Sequence, residues 1–184
     1  MHSPAIFLDR DGVINHNYGY VCKQESFDFI DGIFDIAFCA YKLKYKLIII
    51  TNQAGIGRGY YTEDQFHRLT AWMCDQFSAA GSPIEHVYYS PYHPTAGIGK
   101  FLKDDYSRKP NPGMILQAQK DFFIDLNSSV LIGDKVSDIQ AGISAGVGTN
   151  LLFSSERPNE LNGMKYELIY TLLEAMPYLK QENK

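Results

Sequence analysis

The stretch that decides the fold is Phe7–Asn15, FLDRDGVIN. The apolar run Ala5 to Leu8 ends abruptly in two aspartates, Asp9 and Asp11, separated only by Arg10. Two carboxylates that close repel each other, so a fold that keeps both needs a cation or a reaction to reconcile them. An extended chain would send Arg10 to the opposite face from its neighbours, and Gly12 would let the backbone turn.

Further short aliphatic runs lie downstream, at Leu47 to Ile50, His86 to Tyr89, Ser129 to Ile132 and Asn150 to Phe153. Helical periodicity fills the spaces between them. Ile33 to Lys44 places Phe34, Ala37, Phe38 and Tyr41 on one face, and TEDQFHRLTAWMCDQFSAAG has Thr62 as its cap and Gly81 at its close. Gly113 to Phe123 and Ser137 to Ala145 complete the helices. Strand and helix in alternation predict an α/β fold, a doubly wound parallel sheet with helices on both faces.

Ligands of such sheets bind beyond the carboxyl ends of the strands. The segments that follow the first four runs are DRDG, TNQAGIGRG, SPYHPTAGIGKFLKDDYSRKPNP and GDKVSD. They bring Asp9, Asp11, Thr51, Asn52, Arg108, Lys109, Asp134, Lys135 and Asp138 to one edge. Acids that can hold a metal beside bases that can hold an anion suit a divalent cation next to a phosphate. Each aspartate taken alone could be a helix or turn cap, and the glycines of GIGRG could be turn residues. It is their convergence at matching strand ends that favours chemistry.

The remaining composition bounds the alternatives. A chain of 184 residues, 45% hydrophobic and 14% aromatic, with no repeat or linker, is expected to form one domain over residues 1–184. Its apolar runs are strand-sized, far short of a membrane span, and no basic segment precedes an apolar one at the start; no membrane partner and a cytoplasmic location are expected. A net charge of −4 offers no basic field for nucleic acid. Cys22, Cys39 and Cys74 match neither a disulfide framework nor a zinc cluster and are read as reduced packing residues. Phe66, Leu69, Trp72, Met73 and Phe77 read as core-facing, and His67, His86 and His93 as surface or satisfied polar groups. Residues 90–112 form a long excursion of the kind that is functional or mobile, 180–184 are expected to be disordered, and a monomer is the default state.

The motifs DRDGVIN, ITNQAGIGRG, RKPNPGM and IGDKVSD resemble the four motifs of the haloacid dehalogenase (HAD) superfamily. With GYV, FDFIDG, YYSPYHP and VGT in order, residues 4–153 resemble the D-glycero-D-manno-heptose 1,7-bisphosphate phosphatases. The resemblance implies a HAD-like fold with a minimal cap or none, since Val13–Asp31 and Ile56–Ser107 leave little room for one. It also implies Mg²⁺-dependent removal of the 7-phosphate through an aspartyl phosphate, on the route to nucleotide-activated heptose for lipopolysaccharide, capsule or glycoprotein. Asp9 is then the nucleophile and Asp11 the general acid and base; Thr51 and Lys109 stabilise the phosphoryl group. Mg²⁺ would be held by Asp9, Asp134 and the Asp11 carbonyl, with Asp138 in support. Asn17, Tyr18, Gly19, Tyr20, Asn52, Gln53, Arg108 and Lys135 are the implied substrate contacts, and Gly55, Gly57 and Gly59 would let their loop approach the substrate.

The chain departs from that family at the zinc loop, where Ser90, Tyr92, Asp105 and Ser107 replace Cys and His ligands. No thiolate remains, so no zinc is expected, and Tyr92 and Tyr106 are expected to pack or hydrogen-bond in its place. Two other readings compete: a histidinol-phosphate phosphatase, which shares the motifs, and a catalytically silent binding protein on the same scaffold.

Overall fold

The structure is a computed structural model that describes residues 2–179, so the tail at 180–184 lies outside the described residues. Six strands, β1 (Ala5–Leu8), β2 (Lys46–Asn52), β3 (His86–Ser90), β4 (Val130–Gly133), β5 (Thr149–Phe153) and β6 (Glu167–Ile169), form one sheet. Every pairing is parallel and the order is β3-β2-β1-β4-β5-β6. The connections carry helices α1 (Ile33–Lys42), α2 (Ala54–Gly57), α3 (Glu63–Ala79), α4 (Gly113–Phe122) and α5 (Val136–Ala145).

Side chains alternate across a strand, and the two faces here bury separate apolar sets. Ile6, Leu8, Leu47, Ile49, Val130, Ile132 and Leu151 pack against α1, α3 and the C-terminal residues Leu172, Ala175 and Leu179. Phe7, Ile48, Ile50, Leu131 and Leu152 pack against α4 and α5 through Met114, Ile115, Ala118, Ile139 and Ala141. Burial on both faces explains why β1 and β4 read as unbroken apolar runs.

The chain builds outward from β1 through β2 to β3, then returns to place β4 on the other side of β1 and continues to β5 and β6. This reversal opens the crevice where α/β sheets bind ligands. Leu8 pairs with Ile132, and the Asp9 amide extends the ladder to the Ile132 carbonyl at 3.1 Å. The residues after β1 and β4 are therefore side by side.

The five expected strands and four longer helices all form, with ends displaced by one or two residues; α1 stops at Lys42. Three features were not legible. β6 is three residues, too short to show alternation, and α2 is a single turn inside QAGIGRG. On α1 the buried face is Ile33, Ile36, Ala37 and Ala40, whereas Phe38 and Tyr41 are 45% and 42% exposed. Of the expected Phe34-Ala37-Phe38-Tyr41 face, Ala37 is buried and Phe34 packs against Phe29 and Phe77, but Phe38 and Tyr41 turn outward, because the smaller aliphatic stripe lets the helix approach the sheet closely. Helix α3 keeps its expectation: Thr62 forms a capping box with Gln65, and Phe66, Leu69, Met73 and Phe77 are buried. Trp72 is partly buried, its ring edge-on to Phe27 at 5.5 Å.

Candidate active site

Three strand ends and one loop build the site. Asp9 follows β1, Thr51 and Asn52 end β2, Lys109 arrives on the long loop before α4, and Asp134 follows β4 with Asp138 in the first turn of α5. Lys109 is buried and spends all three ammonium hydrogens: Asp9 Oδ1 at 2.8 Å, Asp138 Oδ1 at 2.7 Å and the Ile50 carbonyl at 2.7 Å. Its backbone is clamped from the side by Asn52, whose amide donates to the Lys109 carbonyl and accepts from the Lys109 N–H, both at 3.0 Å. Asn52, expected to contact substrate, lines the cleft beside the site and also holds Lys109 in place. Asp138 accepts the Lys135 amide at 3.0 Å, closing the start of α5 as it orients the lysine.

These charges set one another's protonation. Burial opposes ionisation of Asp9, yet Lys109 and then Lys135 hold its carboxyl below the ordinary range. Burial works against charge on Lys109 too, but Asp138 and Asp9 keep it firmly protonated. Asp138 is raised by burial despite the charge of Lys109. Asp134 is pushed up to about 7 by burial and by the negative charge of Asp9. The cluster is short of positive charge on the Asp134 side.

The local geometry shows what could supply it. The Lys135 ammonium lies 3.1 Å from Asp134 Oδ1, 3.4 Å from the Asp11 carbonyl oxygen and 4.0 Å from Asp9 Oδ2. Three oxygens thus face one cationic centre, and carboxylate oxygens of Asp9, Asp134 and Asp138 all lie within 4.8 Å of one another. An all-oxygen set with two carboxylates and a carbonyl fits a hard divalent cation such as Mg²⁺. Lys135 is half exposed at this position.

Arg10 departs from expectation. The chain is not extended beyond Asp9: Gly12 has φ +105°, and the amide of Ile14 bonds back to the Arg10 carbonyl at 2.8 Å. Arg10 consequently folds inward, only 1% exposed, with Nη2 at 2.9 and 2.8 Å from the two oxygens of Asp11 and 2.7 Å from the Val21 carbonyl. Asn15 adds a bond to Asp11 Oδ1 at 3.1 Å and Gln53 one to Oδ2 at 3.0 Å. A buried guanidinium thus answers the repulsion between the two aspartates. Arg10 and Asn15 stand inside DRDGVIN, but only the turn at Gly12 reveals their aim.

Beyond these groups opens a cleft of about 460 Å³, lined among others by Asp11, Asn17, Gly19, Tyr20, Gln53, Arg108 and Lys135. Tyr18 turns away, its hydroxyl donating to Asp28 at 3.0 Å. Gly55 lines the cleft, and both Gly55 and Gly57 are closely packed: a Cβ on Gly55 would stand 2.2 Å from the Tyr61 ring, and one on Gly57 2.3 Å from the Pro91 carbonyl oxygen.

The long loop is tied down by polar contacts. The Ser90 and Ser107 hydroxyls are 3.1 Å apart, Ser107 donates to Asp105 at 2.7 Å, and Lys103 pairs with Asp105 at 2.6 Å. Tyr92 packs near Phe101 and beneath Lys103, and its carbonyl receives Arg108 Nη1 at 3.0 Å. Tyr106, expected to share that work, is 60% exposed, because the serines and Asp105 fill the space between the loop's ends. His93 is satisfied by Arg58 at 2.9 Å and by the Ala96 amide at 3.0 Å, and the three cysteines are free thiols. Among the described residues no helix is long and apolar enough to cross a membrane.

A family model described as HAD-hydrolase-like matches residues 106–167. The chain is 51% identical over 179 residues to the D-glycero-alpha-D-manno-heptose-1,7-bisphosphate 7-phosphatase of Burkholderia mallei, covering 97% of this chain and 95% of that protein. It is 41% identical over 182 residues to the D-glycero-beta-D-manno-heptose-1,7-bisphosphate 7-phosphatase of Haemophilus influenzae, covering 98% of each. The crystal structure of D,D-heptose 1,7-bisphosphate phosphatase from B. bronchiseptica, complexed with magnesium and phosphate, superposes with a TM-score of 0.82 at 22% identity, over 98% of this chain and 99% of that one.

Proposed function

The chain belongs to the D-glycero-D-manno-heptose-1,7-bisphosphate 7-phosphatase family of HAD-like hydrolases, and we propose that this site hydrolyses the 7-phosphate of heptose 1,7-bisphosphate to leave heptose 1-phosphate. The observation that carries the reading is the convergence of Asp9 Oδ2, Asp134 and the Asp11 carbonyl on one cationic position, while the other oxygen of Asp9 pairs with the buried Lys109. The structural neighbour that holds magnesium and phosphate supports the same assignment.

Asp9 is the nucleophile. Its carboxylate attacks phosphorus, the bond from phosphorus to the sugar oxygen breaks, and Asp11 gives that oxygen its proton. Asp11 then takes a proton from water as the water attacks the aspartyl phosphate, which frees phosphate and restores Asp9. Lys109 keeps Asp9 ionised and lies where negative charge builds up on the phosphoryl oxygens; Thr51 donates to one of them. Asp9, Asp134 and the Asp11 carbonyl would hold Mg²⁺, whose charge would offset the repulsion between Asp9 and the phosphate dianion. Arg108 and Lys135, at the cleft, bind the substrate's anionic groups, while Asn17, Gly19 and Tyr20 meet the sugar. The long loop needs no zinc, because Ser90, Ser107 and Asp105 close it.

The test is phosphate release from both anomers of the bisphosphate and from histidinol phosphate, with Mg²⁺ and with chelator. Turnover depends on Mg²⁺, and Asp9→Asn lowers it about 10⁴-fold or more. The α anomer is the faster substrate, because the relative named for it is 51% identical and that named for the β anomer 41%. Preference for histidinol phosphate would overturn the substrate, and metal analysis that finds stoichiometric zinc would overturn the account of the loop.

A further inference from the structure

We propose that Tyr61 and Gln53 act as a positioning pair that sets the orientation of both Asp11 and Thr51 for phosphoryl transfer; the inference rests on the phosphatase reading of this site. Gln53 is 1% and Tyr61 5% exposed, so neither is a surface group recruited by chance. The Gln53 side-chain amide uses both of its hydrogens, donating from Nε2 to Asp11 Oδ2 at 3.0 Å and to Thr51 Oγ1 at 2.8 Å. One planar group therefore fixes the angle between the acid and the hydroxyl that the reaction needs together.

An amide can serve this way only in one of its two flip states. Turned over, it would present Oε1 to the Asp11 carboxylate, oxygen against oxygen, and Thr51 could keep its bond to Gln53 only by spending its own hydrogen on Oε1. The Tyr61 hydroxyl favours the working state by donating to Gln53 Oε1. Burial raises the Tyr61 hydroxyl well above its ordinary range, so it is always available as a donor. Because Thr51 Oγ1 accepts from Gln53, its own hydrogen remains free to donate to a phosphoryl oxygen.

The surrounding backbone is shaped around this pair. The Gln53 amide N–H is anchored to the Ser90 carbonyl at 2.7 Å, and Gly55 leaves the space that the Tyr61 ring takes. Arg10 and Asn15 also hold Asp11, but their other bonds go to the Val21 and His16 carbonyls and not to Thr51. Gln53 is the group shared with Thr51.

The test is a double-mutant cycle of Tyr61→Phe and Gln53→Met in the Mg²⁺-loaded enzyme, with heptose 1,7-bisphosphate as substrate and thermal unfolding as a check on folding. Tyr61→Phe keeps the ring and removes only the hydroxyl. It should lower kcat and kcat/KM together by about tenfold with KM little changed, the signature of an interaction made in the transition state. Gln53→Met should cost as much or more, and adding Tyr61→Phe to it should cost nothing further, since the hydroxyl acts only through the amide. Full additivity, wild-type kcat in Tyr61→Phe, or a raised KM at unchanged kcat would overturn the proposal, the last because Gln53 would then be a substrate contact. Should Gln53→Met fail to fold, Tyr61→Phe alone decides, through its kcat and KM. A wild-type enzyme silent on the bisphosphate would instead remove the phosphatase reading and this inference with it.

Discussion

At Gly12 the requirements of backbone and chemistry meet in one residue. Its φ of +105° is costly for any residue with a side chain, and an added Cβ would stand 2.2 Å from Asp134 Oδ2. Gly12→Ala is expected to lose about 1–3 kcal/mol of stability from backbone strain and to lower kcat at least about tenfold as Asp134 is displaced. Urea unfolding and steady-state kinetics on the same variant measure the two effects. An unaltered kcat would mean that the turn tolerates the methyl group without moving the carboxylate. The aspartates and Lys109 were legible in sequence because the segments that follow the strands of a parallel sheet gather at one edge. Arg10 was not, because the turn at Gly12 cancels the alternation that an extended chain would impose. Tyr61 carried no signal at all: its hydroxyl reaches Gln53 only because α2 intervenes as a single turn.

Among the elements, α1 shows how a helix face can mislead when aromatic residues stand on the outer side. Ile36 is fully buried against the sheet, whereas Phe38 is 45% exposed with the Lys42 ammonium 5.7 Å from its ring. Ile36→Ala should therefore cost about 2–5 kcal/mol and Phe38→Ser about 0.5 kcal/mol or less, both read from urea unfolding. Equal costs would place the core on the aromatic side instead. The long loop offers the complementary case. Its want of zinc ligands was readable from four positions, but its fastening was not: Ser90 and Ser107 meet across 17 residues of chain, and Asp105 is kept ionised against its burial by Lys103 and Ser107.

For the whole molecule, the site exists because the order of strand addition reverses at β1, with β2 on one side of it and β4 on the other. Asp9 and Asp134 then share a negative corner that a divalent cation would neutralise, and binding to the folded chain alone stabilises it by mass action. Mg²⁺ at about a hundred times its dissociation constant is expected to raise Tm by about 5–10 °C, and Asp134→Ala should abolish the rise. A rise of the same size in Asp134→Ala would show that Mg²⁺ binds elsewhere. The cleft above this corner is open, bounded by the loops around Asn17, Gly55 and Arg108, in keeping with the short spaces the sequence leaves for a cap. What the sequence determined by itself was the order of strands and helices and the polar residues that end each strand, because periodicity and chain breaks are local properties. Only the tertiary structure decided that β4 pairs with β1, that Arg10 turns back on Asp11, and that Tyr61 and Gln53 join Asp11 to Thr51. Those contacts depend on how apolar faces far apart in the chain settle against one another, and no local pattern encodes that distance.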